Sequence, residues 1–139
     1  MKVIVDTSIW SLALRRKHED LNEREQKIVY ELIELINEAR VIMIGPIRQE
    51  ILSGISTQKQ LRQLKSKLKA FSDFPICTED YEKAAEFFNR CRKDGIQGSH
   101  IDFLICSVAF NNNFSVFTTD KDFINYSNYT DINLYQEKK

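Results

Sequence analysis

Apolar residues in this chain fall into two alternating patterns, short unbroken runs and longer stretches spaced at three and four. Residues 2–5, 41–44 and 115–118 are short runs rich in β-branched side chains, which predict buried strands. Ile28, Val29, Leu32, Ile33, Leu35 and Ile36 give residues 22–39 the spacing of an amphipathic helix. Leu61, Leu64, Leu68 and Phe71 do the same for residues 57–71, against a face of Lys, Arg and Gln. Thr78-Glu79-Asp80 opens a helix reaching about Lys93, where Asp94-Gly95 breaks it. Ser99 begins another, with Ile101, Leu104, Ile105, Val108 and Ala109 on one face. Shorter helices are predicted at 9–14, after the cap-type residues Asp6-Thr7-Ser8, at 47–52, after Gly45-Pro46, and at 120–126. Residues 74–77 and 131–135 read as two further short strands. Short apolar strands alternating with helices imply an α/β fold with helices on both faces of a parallel sheet. In such sheets ligands bind beyond the carboxyl ends of the strands.

Composition narrows the class without naming a function. A chain of 139 residues, 42% hydrophobic and 29% charged, suits one domain with a real core. Twenty basic and 20 acidic residues cancel, so nucleic-acid binding has to use a local basic patch. Cys77, Cys91 and Cys106 are odd in number and widely spaced, with no C-x-x-C pair, which points to incidental buried thiols in a reducing cytoplasm. Asp6 interrupts the first apolar run too early for a signal peptide, and no later run suggests a membrane helix.

The chemistry lies in acids at element junctions. Asp6 ends the first strand, Asp120 follows the 116–119 run, Asp102 sits in the first turn of its helix, and Glu50 lies early in the helix after the second strand. Strand carboxyl ends and helix amino ends share one edge of such a sheet, so the four can converge. Each also has a local explanation. Asp6 and Asp120 suit helix N-caps, Asp102 the last place of a Ser99 capping box, and Glu50 a helix amino end. Several carboxylates at one edge would repel unless a cation or protonation relieved them. Oxygen donors without His or Cys suit Mg²⁺ or Mn²⁺ rather than zinc.

Four stretches resemble the successive motifs of the PIN-domain family. They are Val3-Ile4-Val5-Asp6-Thr7-Ser8, Ile47-Arg48-Gln49-Glu50-Ile51-Leu52, Ser99-His100-Ile101-Asp102-Phe103-Leu104-Ile105 and Phe117-Thr118-Thr119-Asp120-Lys121-Asp122-Phe123. Their order, spacing and context match from Val3 to Phe123. Ile101 departs from the small polar residue often found at its place, and is expected in the core. The small size further resembles VapC-type toxins of toxin–antitoxin pairs. The resemblance implies a three-layer α/β/α PIN-like fold over 1–139, with a central, mostly parallel sheet of four to five strands. It also implies an Mg²⁺-dependent endoribonuclease, with Mn²⁺ able to substitute, whose ligands are Asp6, Asp102 and Asp120 with Glu50 completing the pocket. Ser8 and Thr119 would support the site, and the role of Thr118 stays open. Asp122 would reach the metal through water or stabilise its own short helix. His100 reads as a helix-start surface residue rather than an acid–base group, and His18 has less claim.

The implied substrate is RNA (tRNA, rRNA or mRNA), cut by direct attack of water. Arg15, Arg16 and Lys121 are the candidates for contacting its phosphates. Lys59, Arg62, Lys65, Lys67 and Lys69 form a second basic group, readable as a solvated helix face or a docking surface. A cognate VapB-like antitoxin and a homodimer are implied, with the leucine-bearing face at 57–71 as a candidate dimer surface. Three other readings stand beside this one: a housekeeping RNA-processing PIN nuclease, a PIN-fold binding module without catalysis, and a phosphatase on a similar sheet. The last lacks the second carboxylate of a D-x-D motif after Asp6.

Overall fold

The computed structural model describes residues 1–137. In chain order the elements are β1 (Val3–Val5), α1 (Thr7–Leu14), a 3₁₀ turn (His18–Asp20), α2 (Glu23–Asn37), β2 (Val41–Ile42), α3 (Gly45–Leu52), α4 (Gln58–Leu68), α5 (Thr78–Lys93), α6 (His100–Asn112), β3 (Ser115–Phe117), α7 (Asp122–Thr130) and β4 (Asn133–Leu134). The sheet has the order β2-β1-β3-β4, and every pairing is parallel. Val3, Ile4 and Val5 are all 0% exposed. Successive strand side chains point to opposite faces, so complete burial of three in a row requires both faces to be covered. The expectation of an α/β/α fold around a mostly parallel sheet of four to five strands is met, with four strands.

The strand order places the site. From β1 the chain moves to β2 on one side, and from β3 to β4 on the other, so it switches direction between β1 and β3. Val5 pairs with Phe117, and the Asp6 N–H donates to the Phe117 carbonyl at 2.9 Å. Asp6 and Thr118 therefore emerge side by side at the switch point, where such sheets open a ligand crevice.

The structure departs from the sequence reading in several places. Residues 74–77 form no strand. Pairing stops at a Met43–Asp73 bridge and one bond from the Phe74 N–H to Met43, because Pro75 has no N–H to continue a ladder. Helix α3 starts two residues early, since Pro46 is well suited to a first turn. Helix α7 starts at Asp122 rather than Asp120, with Lys121 at its N-cap position, while the Asp120 carboxylate accepts the Asp122 N–H at 2.9 Å and its carbonyl accepts the Phe123 N–H at 3.2 Å. Cys91 and Cys106 are buried as expected, but Cys77 is exposed, at the start of α5. Leu64 and Leu68 are buried within the chain and Leu61 is half-buried, so packing inside the chain takes up most of the leucine face at 57–71. Arg48 fixes that arrangement, donating to Asp73 Oδ1 at 2.9 Å, to the Leu68 carbonyl at 3.1 Å and to the Phe71 carbonyl. Among the described residues no helix is long and apolar enough to cross a membrane.

Candidate active site

Asp6 occupies the N-cap position of α1, yet its side chain caps nothing. Its backbone carbonyl takes the first helical N–H groups, from Ile9 and Trp10, while the carboxylate turns towards β3. Asp6 Oδ2 accepts the Ser8 hydroxyl at 2.9 Å and the Thr118 hydroxyl at 2.8 Å. Those hydroxyls are aimed in turn by backbone donors from the end of β3. The Thr119 N–H donates to Ser8 Oγ at 3.1 Å, and the Asp120 N–H donates to Thr118 Oγ1 at 3.0 Å. The carboxylate of Asp6, a residue 7% exposed, is thus held through two hydroxyls, the helix-cap explanation fails, and Oδ1 has no donor among the described residues. Thr118 makes this contact. Thr119, expected to support the site, contributes its backbone N–H while its side chain is exposed.

Asp102 belongs to α6, whose N-cap Ser99 accepts the Asp102 N–H at 3.1 Å. The return bond of a full capping box is not made, so the Asp102 side chain is left for other work. Its Oδ2 lies 3.1 Å from the phenol of Tyr126, which also stands 3.3 Å from the Gln97 carbonyl. Sequence reasoning missed Tyr126. Its spacing from Phe123 marks it as an ordinary core residue of α7, and nothing local signals where its hydroxyl ends. Burial, followed by the charge of Asp102, raises its phenol above the ordinary value, so it remains a donor at neutral pH. Gly98 passes so close that a Cβ there would stand 2.6 Å from the Tyr126 oxygen.

Burial also raises the Asp102 carboxyl above its ordinary value; the Tyr126 hydrogen bond opposes this, and the charges of Asp6 and Asp120 reinforce it. Asp6, Asp102 and Asp120 therefore feel one another. Glu50 joins the group through Thr7, whose hydroxyl, beside Asp6, donates to Glu50 Oε1 at 2.9 Å. Asp122 is exposed, and only its N–H touches the site, on Asp120. Among the described residues none of these acids has a Lys or Arg ion-pair partner.

An oxygen-only set carrying uncompensated negative charge fits a hard divalent cation. As the side chains stand, no group of three or more His, Cys, Asp or Glu among the described residues is gathered closely enough to hold an ion. Mg²⁺ does not demand that, because it commonly keeps water and uses one or two carboxylates plus substrate phosphate. Asp6, Asp102 and Asp120, with Glu50 behind, would hold it.

Two of the three flanking basic residues are engaged within the chain. Arg15 donates to the carbonyls of Ile51 at 2.6 Å and Ser53 at 2.7 Å, closing the end of α3. Arg16 pairs with Glu25 at 2.9 Å. Lys121 is exposed beside Asp120. His100 is exposed and stacks on Phe88, and Ile101 packs partly against the core.

A carboxyl raised in the folded state favours folding only while protonated, and that advantage is lost as pH rises through its range. In EDTA, Asp102→Asn is therefore expected to melt a few degrees above the unchanged protein at pH 7, with the gap closing towards pH 4. Scanning fluorimetry across that range checks it. A less stable variant at pH 7 would show that the charge cluster is not strained.

The family model described as PIN domain matches residues 3–129. Among solved structures, FitAcB from Neisseria gonorrhoeae aligns with a TM-score of 0.73 at 19% identity, covering 97% of both chains. VapBC2 from Rickettsia felis, bound to a DNA fragment from its promoter, aligns with a TM-score of 0.72 at 18% identity, covering 97% of this chain and 98% of that one. VapBC-5 from Mycobacterium tuberculosis, a member of the VapBC family of toxin–antitoxin systems, aligns with a TM-score of 0.66 at 14% identity, covering 98% and 99%. These likenesses are of fold. A search of curated protein sequences returns no match.

Proposed function

The chain belongs to the PIN-domain family, whose members are generally nucleases, and from that premise we propose that it is a divalent-metal-dependent endoribonuclease of the VapC toxin type. The whole chain, 1–139, is read as one such domain, working in the cytoplasm. One observation carries the reading: Asp6, Asp102 and Asp120 share the β1/β3 switch point with no paired cation among the described residues.

A phosphodiester repels nucleophiles with its own charge. A bound Mg²⁺ supplies neutralisation of that charge and a more acidic water. The side chains of this protein do the positioning. Ser8 and Thr118 hold Asp6 by Oδ2, Tyr126 holds Asp102 by Oδ2, and each Oδ1 is left without a donor among the described residues. Pre-set carboxylates avoid reorganisation when charge develops. Thr7 tethers Glu50 at the margin, and Lys121, exposed beside Asp120, has no ion pair among the described residues. The test is cleavage of a bulk tRNA and rRNA pool, with Mg²⁺ and with EDTA. Discrete fragments with Mg²⁺ only are expected; cutting that survives EDTA would overturn the metal mechanism.

The toxin reading adds two partners. A cleft of about 520 Å³ opens beside Asp120, floored by Leu12, Ile28, Phe117, Ile124 and Leu134. It suits the carboxy-terminal segment of a VapB-like antitoxin, which would cover the acids. A neighbouring gene for a short protein with an N-terminal DNA-binding pattern would support this, and its absence would favour a housekeeping nuclease. The homodimer is assigned to α5 and α6, where Tyr81, Ala85, Phe88, Ile101 and Leu104 line an open apolar cleft and Tyr81 is 56% exposed. Ala85→Glu is expected to convert a dimer to a monomer in sedimentation. An unchanged sedimentation coefficient would rule this face out.

A further inference from the structure

Helix α4 carries Lys59, Arg62, Lys65 and Lys67, with Lys69 at its C-cap, and no acid stands anywhere between Ile51 and Ser72. Since 20 acids balance 20 bases over the whole chain, these five leave the remainder with five more acids than bases. Neighbouring helices are built differently. Glu23, Arg24, Glu25 and Lys27 alternate on α2, and Lys83 pairs with Glu86 on α5. None of the five α4 cations has an ion pair or side-chain hydrogen bond among the described residues; the same holds for the exposed Lys17, Lys27, Lys93 and Lys121, which are scattered, whereas Arg15, Arg16, Arg24, Arg40, Arg48 and Arg90 are all engaged.

Local stability does not account for the pattern. Lys65 and Lys67 in the last turn suit the helix dipole, but Lys59 lies in the first turn, where a cation is disfavoured and no acid offsets it. Lys59–Arg62, Arg62–Lys65 and Lys65–Lys69 are spaced three or four apart, so like charges repel along the helix. Lys59, Arg62 and Lys69 fall on the side turned away from the buried Leu64 and Leu68. The helix is not free to turn. Arg48 of α3 grips the Leu68 and Phe71 carbonyls, so the basic face is fixed to the helix that carries Glu50.

We propose that the outer face of α4, through Lys59, Arg62, Lys65 and Lys69, is a docking surface for the phosphate backbone of the RNA substrate. Only the choice of RNA rests on the nuclease reading. A phosphate chain needs point charges and no apolar anchor, and that face offers charge, Gln58 and Ser66. An acidic protein partner would want an apolar centre, which this face lacks.

The test measures binding without cutting. Binding of a labelled 20-nucleotide single-stranded RNA is followed by anisotropy, in EDTA, from 50 to 200 mM salt. Lys59→Gln/Arg62→Gln is compared with Lys27→Gln/Lys93→Gln, which removes the same charge from exposed sites elsewhere. Each lost phosphate contact flattens the salt slope by about 0.7, so the α4 pair is expected to flatten it by about 1.4 and weaken binding roughly 10- to 30-fold near 0.1 M salt. Its melting temperature is expected to hold or rise, because repulsion is relieved, and the control is expected to keep the original slope. Equal slopes for the two variants, or an unchanged slope for the α4 pair, would overturn the proposal. Failure of cleavage with this slope intact would count against the nuclease reading alone.

Discussion

Asp6→Asn is expected to reduce Mg²⁺-dependent RNA cleavage by on the order of 10³-fold while the protein stays folded. Metal-centred charge stabilisation is worth several kcal/mol, and each ~1.4 kcal/mol is a factor of ten. The amide keeps the shape of the carboxylate, and its oxygen can still accept the Ser8 and Thr118 hydroxyls that now meet Oδ2. It lacks the charge needed to retain a cation beside Asp102 and Asp120. Thr118→Val is expected to have a graded effect. It removes a 2.8 Å donor to Asp6 and the acceptor for the Asp120 N–H, and changes of this supporting kind cost about 10- to 100-fold in metal affinity or activity. Mn²⁺ titration of both variants separates the two, with binding lost in the first and weakened in the second. Wild-type cutting by Asp6→Asn would remove Asp6 from the mechanism.

Gly98→Ala is expected to be the most destabilising conservative change near the site. Its new methyl would stand 2.6 Å from the Tyr126 oxygen, 2.9 Å from Tyr126 Cζ and 2.9 Å from Phe103 Cε2. Both rings are 1% exposed, and Tyr126 is wedged by Phe103 and Phe123 at centroid distances of 5.0 and 5.2 Å. Neither can swing clear, so the backbone or the rings must shift, at a cost of about 1–3 kcal/mol. The phenol that holds Asp102 moves with them, so Mn²⁺ affinity is expected to fall along with the melting temperature. Tyr126→Phe removes the same hydrogen bond without the clash. It should weaken Mn²⁺ binding with a smaller thermal penalty. If Gly98→Ala melts within a degree of the unchanged protein, the ring packing there is looser than the structure indicates.

Local pattern made the layout legible. The unbroken Val3-Ile4-Val5 run reads as a strand buried on both faces because only such a strand can hide three consecutive side chains. Asp6, Asp102 and Asp120 stood out as acids at strand ends and helix starts, which parallel topology gathers on one edge. Residues 74–77 misled, because apolar content suggested a strand that the missing N–H of Pro75 does not extend.

Partnership was not legible. Arg15 and Arg16 read as a basic tract, yet Arg15 serves the carbonyls of α3 and Arg16 an acid of α2. The Asp6 carboxylate looked like a helix cap and instead bonds Thr118, 112 residues away, while the Tyr126 hydroxyl reaches Asp102, 24 residues away. Alternation and spacing report which face of an element is buried. They carry no information on the register of β1 against β3 or on how α6 meets α7. The sequence by itself therefore determined most of the elements, the parallel sheet and the acids at strand ends and helix starts. Only the tertiary structure decided which hydroxyl holds which carboxylate and which cations remain free, because a hydrogen bond forms or fails over about half an ångström, finer than any periodicity can specify.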